Sequence, residues 1–394
     1  MNCTASSEAR SIIGDNIVVV TPTVLSAPRG DATNERETIS CLEINFSPYV
    51  LAFRKAFDRS RREPSFSGNT RVIRLPFLDF AGLRLLQVLV FSVFSSIALL
   101  LLRGMLKPCV VVATHPIVSS LAVPTCHLLR VPLIYRAHST PLYSEEPPLK
   151  GTMLGELFRV FDIVAINASD LVQVSTQGAK MRIPHDRVCI IPYSVSDAFF
   201  QATPVEDDIF TIGFIGNFSQ SRDFGPYLKA IKKLTQTIAT IRVQLVGEGV
   251  NKRAVASTVE TLGLQGIVQI LPPVPHAQVP SLLSRFDVLV NPQLPENTAL
   301  SQKVIEAMAL GIPVITTVPQ GELLRDRSTC VVVRNTEESY EEAIRLLYHD
   351  GKLRKQISQN AKRTAEAFFA RSYVAELYRK AIQSVTPHDA STAG

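Results

Sequence analysis

The segment 295–317 combines residue types suited to a phosphorylated, hydroxyl-bearing ligand. It reads PENTALSQKVIEAMALGIPVITT and follows a predicted strand. A helix is predicted to begin near Ser301, with Lys303 in its first turn and Glu306 three residues later. Lys303 and the positive end of the helix dipole would attract a phosphate, and Glu306 could accept hydrogen bonds from both hydroxyls of a ribose. The same spacing also fits a simple Lys-x-x-Glu pair on a helix surface.

Two glycine-containing turns precede this segment along the chain. FIGNFSQSRDFG places Gly216 and Arg222 after an apolar run, so backbone amides and a guanidinium could face an anion. VGEG places Gly247 and Gly249 after the next apolar run, where glycine permits close approach of the backbone. Either segment could instead be an ordinary turn that binds nothing.

A parallel sheet would bring these turns together. From residue 211 onward, short apolar runs alternate with segments of helical periodicity, which is typical of repeated strand–helix units. Ligands bind at the carboxyl ends of the strands in such sheets. Strands are predicted at 211–217, 242–249, 268–273, 287–293, 313–318 and 330–335, and helices at 224–237, 252–262, 279–286, 301–310 and 338–350.

The first half of the chain shows the same alternation more loosely, so the predicted fold class is α/β with two Rossmann-like domains. Strands are predicted at 16–21, 70–77 and 109–114, with others up to residue 194. The segment 351–385 is predicted to be helical throughout and to return to the first domain. The predicted divisions are an N-terminal domain at 1–197, a linker at 198–208, a C-terminal domain at 209–365, a returning helix at 366–385 and a tail at 386–394.

Composition fits two globular domains. The 394 residues include 41 Lys plus Arg and 35 Asp plus Glu, a net charge of +6, and 46% are hydrophobic. This length is sufficient for two domains with buried cores. The six cysteines lack metal-ligand spacing, so structural zinc is not expected. Basic residues form no stripe interleaved with aromatic residues, so nucleic acid is not expected as a partner.

The longest uncharged stretch, LLQVLVFSVFSSIALLLL at 85–102, raises the question of membrane contact. As a helix it would be about 27 Å long, slightly short of a hydrocarbon core of ~30 Å. A span would also place the strands at 16–21 and 70–77 across the bilayer from the strand at 109–114. We therefore expect a helix that is either buried in the first domain or partly exposed at a membrane surface. The N-terminal residues do not resemble a secretory signal.

In this order and at these separations, GFIGNFSQSRDFG, LVGEG, FDVLVNPQ and KVIEAMALGIPVITT resemble the donor half of the retaining glycosyltransferases of family four. Those enzymes have the GT-B fold of two facing Rossmann domains. The similarity covers about residues 14–385 and is looser in the first half. It implies transfer of a sugar from a nucleotide sugar to a lipid-linked or polysaccharide acceptor, with retention of configuration and without a metal or other cofactor. It also implies a cytoplasmic protein, free or peripheral at the inner face of the cell membrane.

The resemblance assigns site residues position by position. Arg222 falls where the family has a diphosphate-binding lysine, and Asn217 falls where it has a neighbouring arginine. Lys303 and Glu306 match a Pro-x-Lys-x-x-Glu form found in a subset related to polysaccharide and O-antigen assembly, with Ser301 in place of the proline. The catalytic candidates are His138, Lys303 and Glu306, and the donor-binding candidates are Gly216, Asn217, Arg222, Gly247, Glu248, Gly249, Glu296, Thr298, Ser301, Lys303 and Glu306.

Three of these positions concern the sugar end of the site. The family commonly has a second glutamate eight positions before Glu306, and here that position is Thr298, with Glu296 nearby. His138, in LIYRAHST, falls where related enzymes often have a histidine that faces the donor. The resemblance thus implies that His138 orients the sugar, whereas an isolated histidine after a strand is as often a structural residue.

The beginning of the chain departs from the family pattern. IIGDNIVVVTPT resembles the second strand of the family, and residues 1–13 supply no first strand, glycine-rich loop or helix. We therefore predict an N-terminal domain without its opening strand–helix unit. A catalytically inactive sugar-nucleotide-binding or scaffold subunit is the alternative to an active transferase. A sugar-nucleotide epimerase of the same fold is less favoured, because the motifs contain few acid–base groups.

Overall fold

The fold is described from a computed structural model. The structure describes residues 16–23, 25, 30–53, 66, 68–75, 84–137, 151–183, 185–205, 207–238, 240–294, 300–318 and 323–386. These residues form two parallel sheets flanked by helices, so the predicted α/β class is confirmed.

The first sheet has seven strands in the order β3-β2-β1-β4-β5-β6-β7. All its pairings are parallel, and β1, β4 and β5 are almost wholly buried, as expected for runs such as VVVAT. The elements are β1 (Asn16–Thr21), α1 (Gly30–Leu42), β2 (Ser47–Phe53), β3 (Arg71–Leu75), α2 (Arg84–Leu101), α3 (Arg103–Leu106), β4 (Val110–Thr114), α4 (Pro116–Leu129), β5 (Leu133–Ala137), α5 (Met153–Ala168), β6 (Leu171–Val174), α6 (Gln177–Lys180) and β7 (Val188–Ile190).

The second sheet has six strands in the order β10-β9-β8-β11-β12-β13, again all parallel. The strand order reverses between β8 and β11, and a ligand crevice is expected at such a switch point. The elements are α7 (Asp197–Gln201), β8 (Phe210–Ile215), α8 (Gly225–Leu234), β9 (Ile241–Val246), α9 (Lys252–Thr261), β10 (Val268–Leu271), a short 3₁₀ helix (His276–Gln278), α10 (Val279–Leu283), β11 (Val288–Asn291), α11 (Gln302–Leu310), β12 (Val314–Thr316), β13 (Val331–Val332), α12 (Glu337–His349), α13 (Gly351–Phe368) and α14 (Arg371–Val385).

The prediction that the opening strand–helix unit is missing is wrong for this topology. β1 lies at the centre of the first sheet, between β2 and β4, and α1 follows it before β2. The strand that we assigned as the second of the domain is therefore the first of a strand–helix–strand unit. The polar sequence of α1 obscured this unit, because the helix buries Glu35, Glu37 and Thr38 rather than a purely apolar face.

The predicted continuous helix at 351–385 is divided into α13 and α14. The break occurs at Phe369, which is fully buried and whose carbonyl accepts a hydrogen bond of 2.8 Å from the amide of Val195. After the break, α14 packs on α1 of the first domain, where Val374 and Tyr378 join the core beneath β1. Helix α14 thus forms part of the hydrophobic core of the first domain. The predicted tail lies largely outside the described residues.

Helix α2 is partly buried and partly exposed. Phe91 and Leu99 are buried in a core cluster, whereas Phe94 and Leu101 face outward. Helix α4 packs against both α2 and α5. We call the exposed side chains of these helices the apolar face: Leu86, Val93, Phe94, Ile97, Leu100, Leu101, Leu128, Met153, Leu154, Leu157, Val160, Ile163 and Val164. Among the described residues, no helix is long and apolar enough to span a membrane.

Gly213 in β8 is expected to be intolerant of any side chain. A Cβ atom built there would lie 1.9 Å from two ring carbons of the buried Phe286. We expect Gly213→Ala to lower the free energy of unfolding by about 1–3 kcal/mol, because the core would have to shift. Denaturant unfolding measures the change. Gly266→Ala is the control, since nothing lies within 4 Å of its added Cβ, and an equal loss in both variants would contradict the packing argument.

Candidate functional site

The two glycine turns abut one another at the carboxyl ends of β8 and β9. A Cβ on Gly247 would lie 1.8 Å from the carbonyl oxygen of Gly216, and one on Gly249 would lie 2.2 Å from Oδ1 of Asn217. The amide of Phe218 also donates to the carbonyl of Glu248 at 2.9 Å. Glycine is therefore required at 247 and 249 for the turns to meet, and four predicted donor-binding residues lie side by side.

The predicted donor-binding residue Glu248 has a partner on the following helix. Its side chain is 59% exposed and accepts a hydrogen bond of 2.5 Å from Lys252, four residues on. Such an exposed pair contributes little to stability.

Arg222 is held against the end of β11. Its Nη1 donates to Oδ1 of Asn291 at 2.6 Å, and its guanidinium lies 5.2 Å from the ring centroid of Phe214. Hydrogen bonds between backbone groups of 221–223 and 292–294 fix the loop, with lengths of 2.9 and 3.1 Å. Burial lowers the pKa of Arg222 to about 10, so the side chain stays charged at neutral pH.

Helix α11 carries a buried carboxylate, that of Glu306, which has two side-chain partners. Glu306 is fully buried, with Oε1 2.9 Å from Nε2 of His276 and Oε2 2.6 Å from Nζ of Lys303. Burial raises the pKa of a carboxyl group, but the charge of Lys303 and the hydrogen bond from His276 outweigh it and hold the pKa of Glu306 below its usual value. Glu306 is therefore a carboxylate and acts as a hydrogen-bond acceptor. The exposed Lys-x-x-Glu pair considered from the sequence is excluded, because Glu306 has no exposed surface and the Lys303 side chain is only 17% exposed.

The start of α11 contacts the segment that leads from the first domain. Ser301 occupies the N-cap position, and no hydrogen bond from its side chain caps the helix. Gln302 is buried and donates from Nε2 to the carbonyl of Ser194 at 2.9 Å. At the other end, Gly311 has a φ of 84° and ends the helix in the left-handed conformation. The helix is thus fixed at both ends.

The described site residues lie in separate groups that follow strands of the second sheet: the two glycine turns, Arg222 with Asn291, and Lys303 with Glu306. Three predicted positions cannot be placed. His138, Glu296 and Thr298 lie outside the described residues. His276 was missed, although it follows β10 in the segment LPPVPHAQVP and so lies after the carboxyl end of a strand in the same sheet. A histidine at that edge is the signal that could have identified it.

Two parallel sheets flanked by helices are the architecture of the GT-B class of proteins. The sucrose-phosphate synthase of Thermosynechococcus elongatus matches with a TM-score of 0.73 and 16% identity, over 93% of this chain and 99% of that one. Anabaena HepE in complex with UDP and glucose matches with a TM-score of 0.72 and 15% identity, over 94% and 100%. WaaG, a glycosyltransferase involved in lipopolysaccharide biosynthesis, matches with a TM-score of 0.67 and 15% identity, over 94% and 99%. These likenesses establish the GT-B fold.

Sequence comparison then characterises the second half of the chain. Residues 195–364 match the family described as Glycosyl transferases group 1. The chain is also 25% identical over 207 residues to the putative colanic acid biosynthesis glycosyltransferase WcaL of Escherichia coli K12. That similarity spans 50% of this chain and 48% of the relative, about half of each.

Proposed function

We propose that the protein is a glycosyltransferase that moves a sugar from a nucleotide-sugar donor to a lipid-linked or polysaccharide acceptor. We also propose that it retains the anomeric configuration and uses neither a metal ion nor a cofactor. The observation that carries the proposal is the buried carboxylate of Glu306, paired with Lys303 at the start of α11 within the group 1 domain. A carboxylate beside a cation suits a ligand that carries both a ribose and a diphosphate.

The proposed chemistry depends on charge. As the glycosidic bond breaks, negative charge accumulates on the leaving diphosphate, and fixed positive groups lower the barrier most at that point. Lys303, the N-terminal end of α11 and Arg222 are the candidates for this task. Asn217 lacks the charge of the arginine that the resemblance predicts there, so Arg222 would bear more of the stabilisation. His138 is proposed to orient the sugar.

The comparisons support the acceptor class. WcaL is named as a putative colanic acid biosynthesis glycosyltransferase, and WaaG is described as involved in lipopolysaccharide biosynthesis. HepE was crystallised with UDP-glucose. We propose that this chain likewise takes a nucleoside-diphosphate sugar and extends a cell-surface glycan.

A donor panel tests the proposal. The protein is incubated with UDP-, GDP- and ADP-sugars, and release of nucleoside diphosphate is followed with and without glycan and lipid-linked acceptors. We expect one donor to be turned over and Glu306→Gln to abolish its turnover. Binding of a donor with no hydrolysis or transfer under any condition would instead identify an inactive subunit. No structural observation favours that alternative, because its main basis was the opening unit, and β1 and α1 supply one.

We further propose that the apolar face binds the inner leaflet of the cell membrane. This contact would place the first domain, which we propose binds the acceptor, at the lipid surface. The sequence from 84 to 144 contains no Asp or Glu. Arg103 at the start of α3, Lys107 at its end and Arg130 at the end of α4 are all exposed. An apolar surface with a basic rim suits anionic lipid headgroups.

Vesicle binding should therefore depend on both lipid charge and the apolar face. We expect co-sedimentation with phosphatidylglycerol vesicles that is weakened by salt and is much weaker with phosphatidylcholine. The double variant Phe94→Glu/Ile97→Glu should bind at least about tenfold less, because two apolar side chains no longer enter the lipid. Val250→Glu, at an exposed valine of the second domain, is the control. Equal binding by the wild type and the double variant would contradict the proposal.

A further inference from the structure

The carboxylate of Glu306 is fully buried beside two partners whose side chains are partly exposed. The Glu306 side chain has no exposed surface, whereas the side chains of His276 and Lys303 are 22% and 17% exposed. Each carboxylate oxygen is engaged by one of them, Oε1 by His276 and Oε2 by Lys303. A ribose hydroxyl can therefore reach the carboxylate only if one of the two partners moves aside.

The two partners differ in how firmly they are held. The ring of His276 packs against the buried Phe199, with ring centroids 5.5 Å apart, and it belongs to the short 3₁₀ helix after β10. Lys303 has a long side chain with many rotamers, and its ammonium is strongly attracted by phosphate. A donor diphosphate in the crevice would offer Lys303 a second anionic partner, while nothing comparable would draw His276 away.

We propose that His276 is a positioning residue for nucleotide recognition, because it holds Oε1 of Glu306 in place when a donor binds. Lys303 then leaves Oε2 of Glu306 and contacts the donor diphosphate. The ribose hydroxyls donate to Oε2 in place of Lys303. The inference deepens the proposed function and rests on it, because it requires a nucleotide donor. His276 acts through Glu306 and need not touch the donor. Without His276, the departure of Lys303 would leave Glu306 buried with no protein partner, which is strongly unfavourable.

The difference in affinity between ribose and 2′-deoxyribose nucleotides measures this role directly. UDP, GDP and ADP are each titrated calorimetrically beside their 2′-deoxy counterparts. For the diphosphate that binds most tightly, we expect the ribose form to bind wild type about 10- to 100-fold better, as for a hydrogen bond to a charged group. His276→Phe should reduce this ratio toward one, and His276→Gln, whose amide can donate to Oε1, should restore most of it.

Matched variants separate positioning from structure. His349→Phe makes the same replacement at an exposed histidine of α12 and should leave the ratio unchanged. His276→Ala replaces His276→Phe if the larger ring prevents folding. Lys303→Met should weaken diphosphate binding but preserve the ratio, because Glu306 and His276 remain in place.

Each failure has a distinct meaning. If no nucleoside diphosphate binds, the proposed function fails and this inference fails with it. If a diphosphate binds the wild type without preferring ribose, or if folded His276→Phe or His276→Ala keeps the wild-type ratio, the inference alone is overturned. The inference is also overturned if His276→Gln prefers ribose nucleotides no more than His276→Phe does. A loss of the ribose preference in Lys303→Met would overturn it as well.

Discussion

Lys303→Met is expected to lower donor turnover by about 10²- to 10³-fold, the effect of removing one preorganised donor from a developing oxyanion. Lys303 lies in the first turn of α11, and its ammonium is 2.6 Å from Oε2 of Glu306. The loss should fall mainly on kcat, because charge accumulates on the diphosphate as the bond to the sugar breaks. Steady-state release of nucleoside diphosphate from the preferred donor gives both kcat and KM.

Two further variants identify the source of that loss. Lys233→Met removes a lysine that pairs with Glu337 at 2.7 Å on the surface of the same domain, and it should leave turnover unchanged. Lys303→Arg retains the charge and should recover part of kcat. If Lys303→Met is as active as wild type while circular dichroism shows an unchanged fold, Lys303 does not stabilise the leaving group.

Arg136→Met is expected to destabilise the protein by about 3–5 kcal/mol, because it removes the arginine of a buried ion pair and leaves the charge of Glu35 in the core. Arg136 and Glu35 are both about 1% exposed in their side chains, and Nη1 lies 3.1 Å from both carboxylate oxygens. Arg136 also donates to Gln173 at 2.8 Å and to Thr38 at 2.7 Å. Denaturant unfolding of wild type and variant measures the difference.

A surface pair provides the matched control for Arg136→Met. Arg159 and Glu156 are 2.8 Å apart, but their side chains are 51% and 60% exposed. Arg159→Met should change the free energy of unfolding by less than about 1 kcal/mol. Adding Glu35→Gln to Arg136→Met should recover stability, since the buried charge that lost its arginine is removed. Equal effects at the buried and exposed arginines would contradict the burial argument.

The second domain could be predicted well from the sequence because each of its strands is an isolated apolar run. All six predicted strands are present, and α8 to α12 occur where helical periodicity predicted helices. Lys303 and Glu306 were predicted as a pair from their spacing on α11. The burial of Glu306 could not be predicted, because it depends on how α11 packs against elements distant in sequence.

Two features of the structure could not be predicted from local sequence patterns. Helix α1 has little apolar periodicity, because polar side chains on it meet Arg136 and Arg371, which are distant in sequence. The contact between His276 and Glu306 spans 30 residues and two separate helices. Such contacts arise only when the chain has folded, so no spacing rule indicated them.

The packing of α14 on α1 has a consequence for synthesis. A ribosome completes β1 to β7 and the entire second sheet before residues 371–385 emerge, yet Val374, Ala375 and Tyr378 belong to the core beneath β1. Tyr378 also contacts Gln173 at 3.4 Å, next to the buried arginine. The first domain therefore cannot finish its core until α14 has been made, although domains made first usually fold first. Its core is completed only after the whole second sheet has been synthesised.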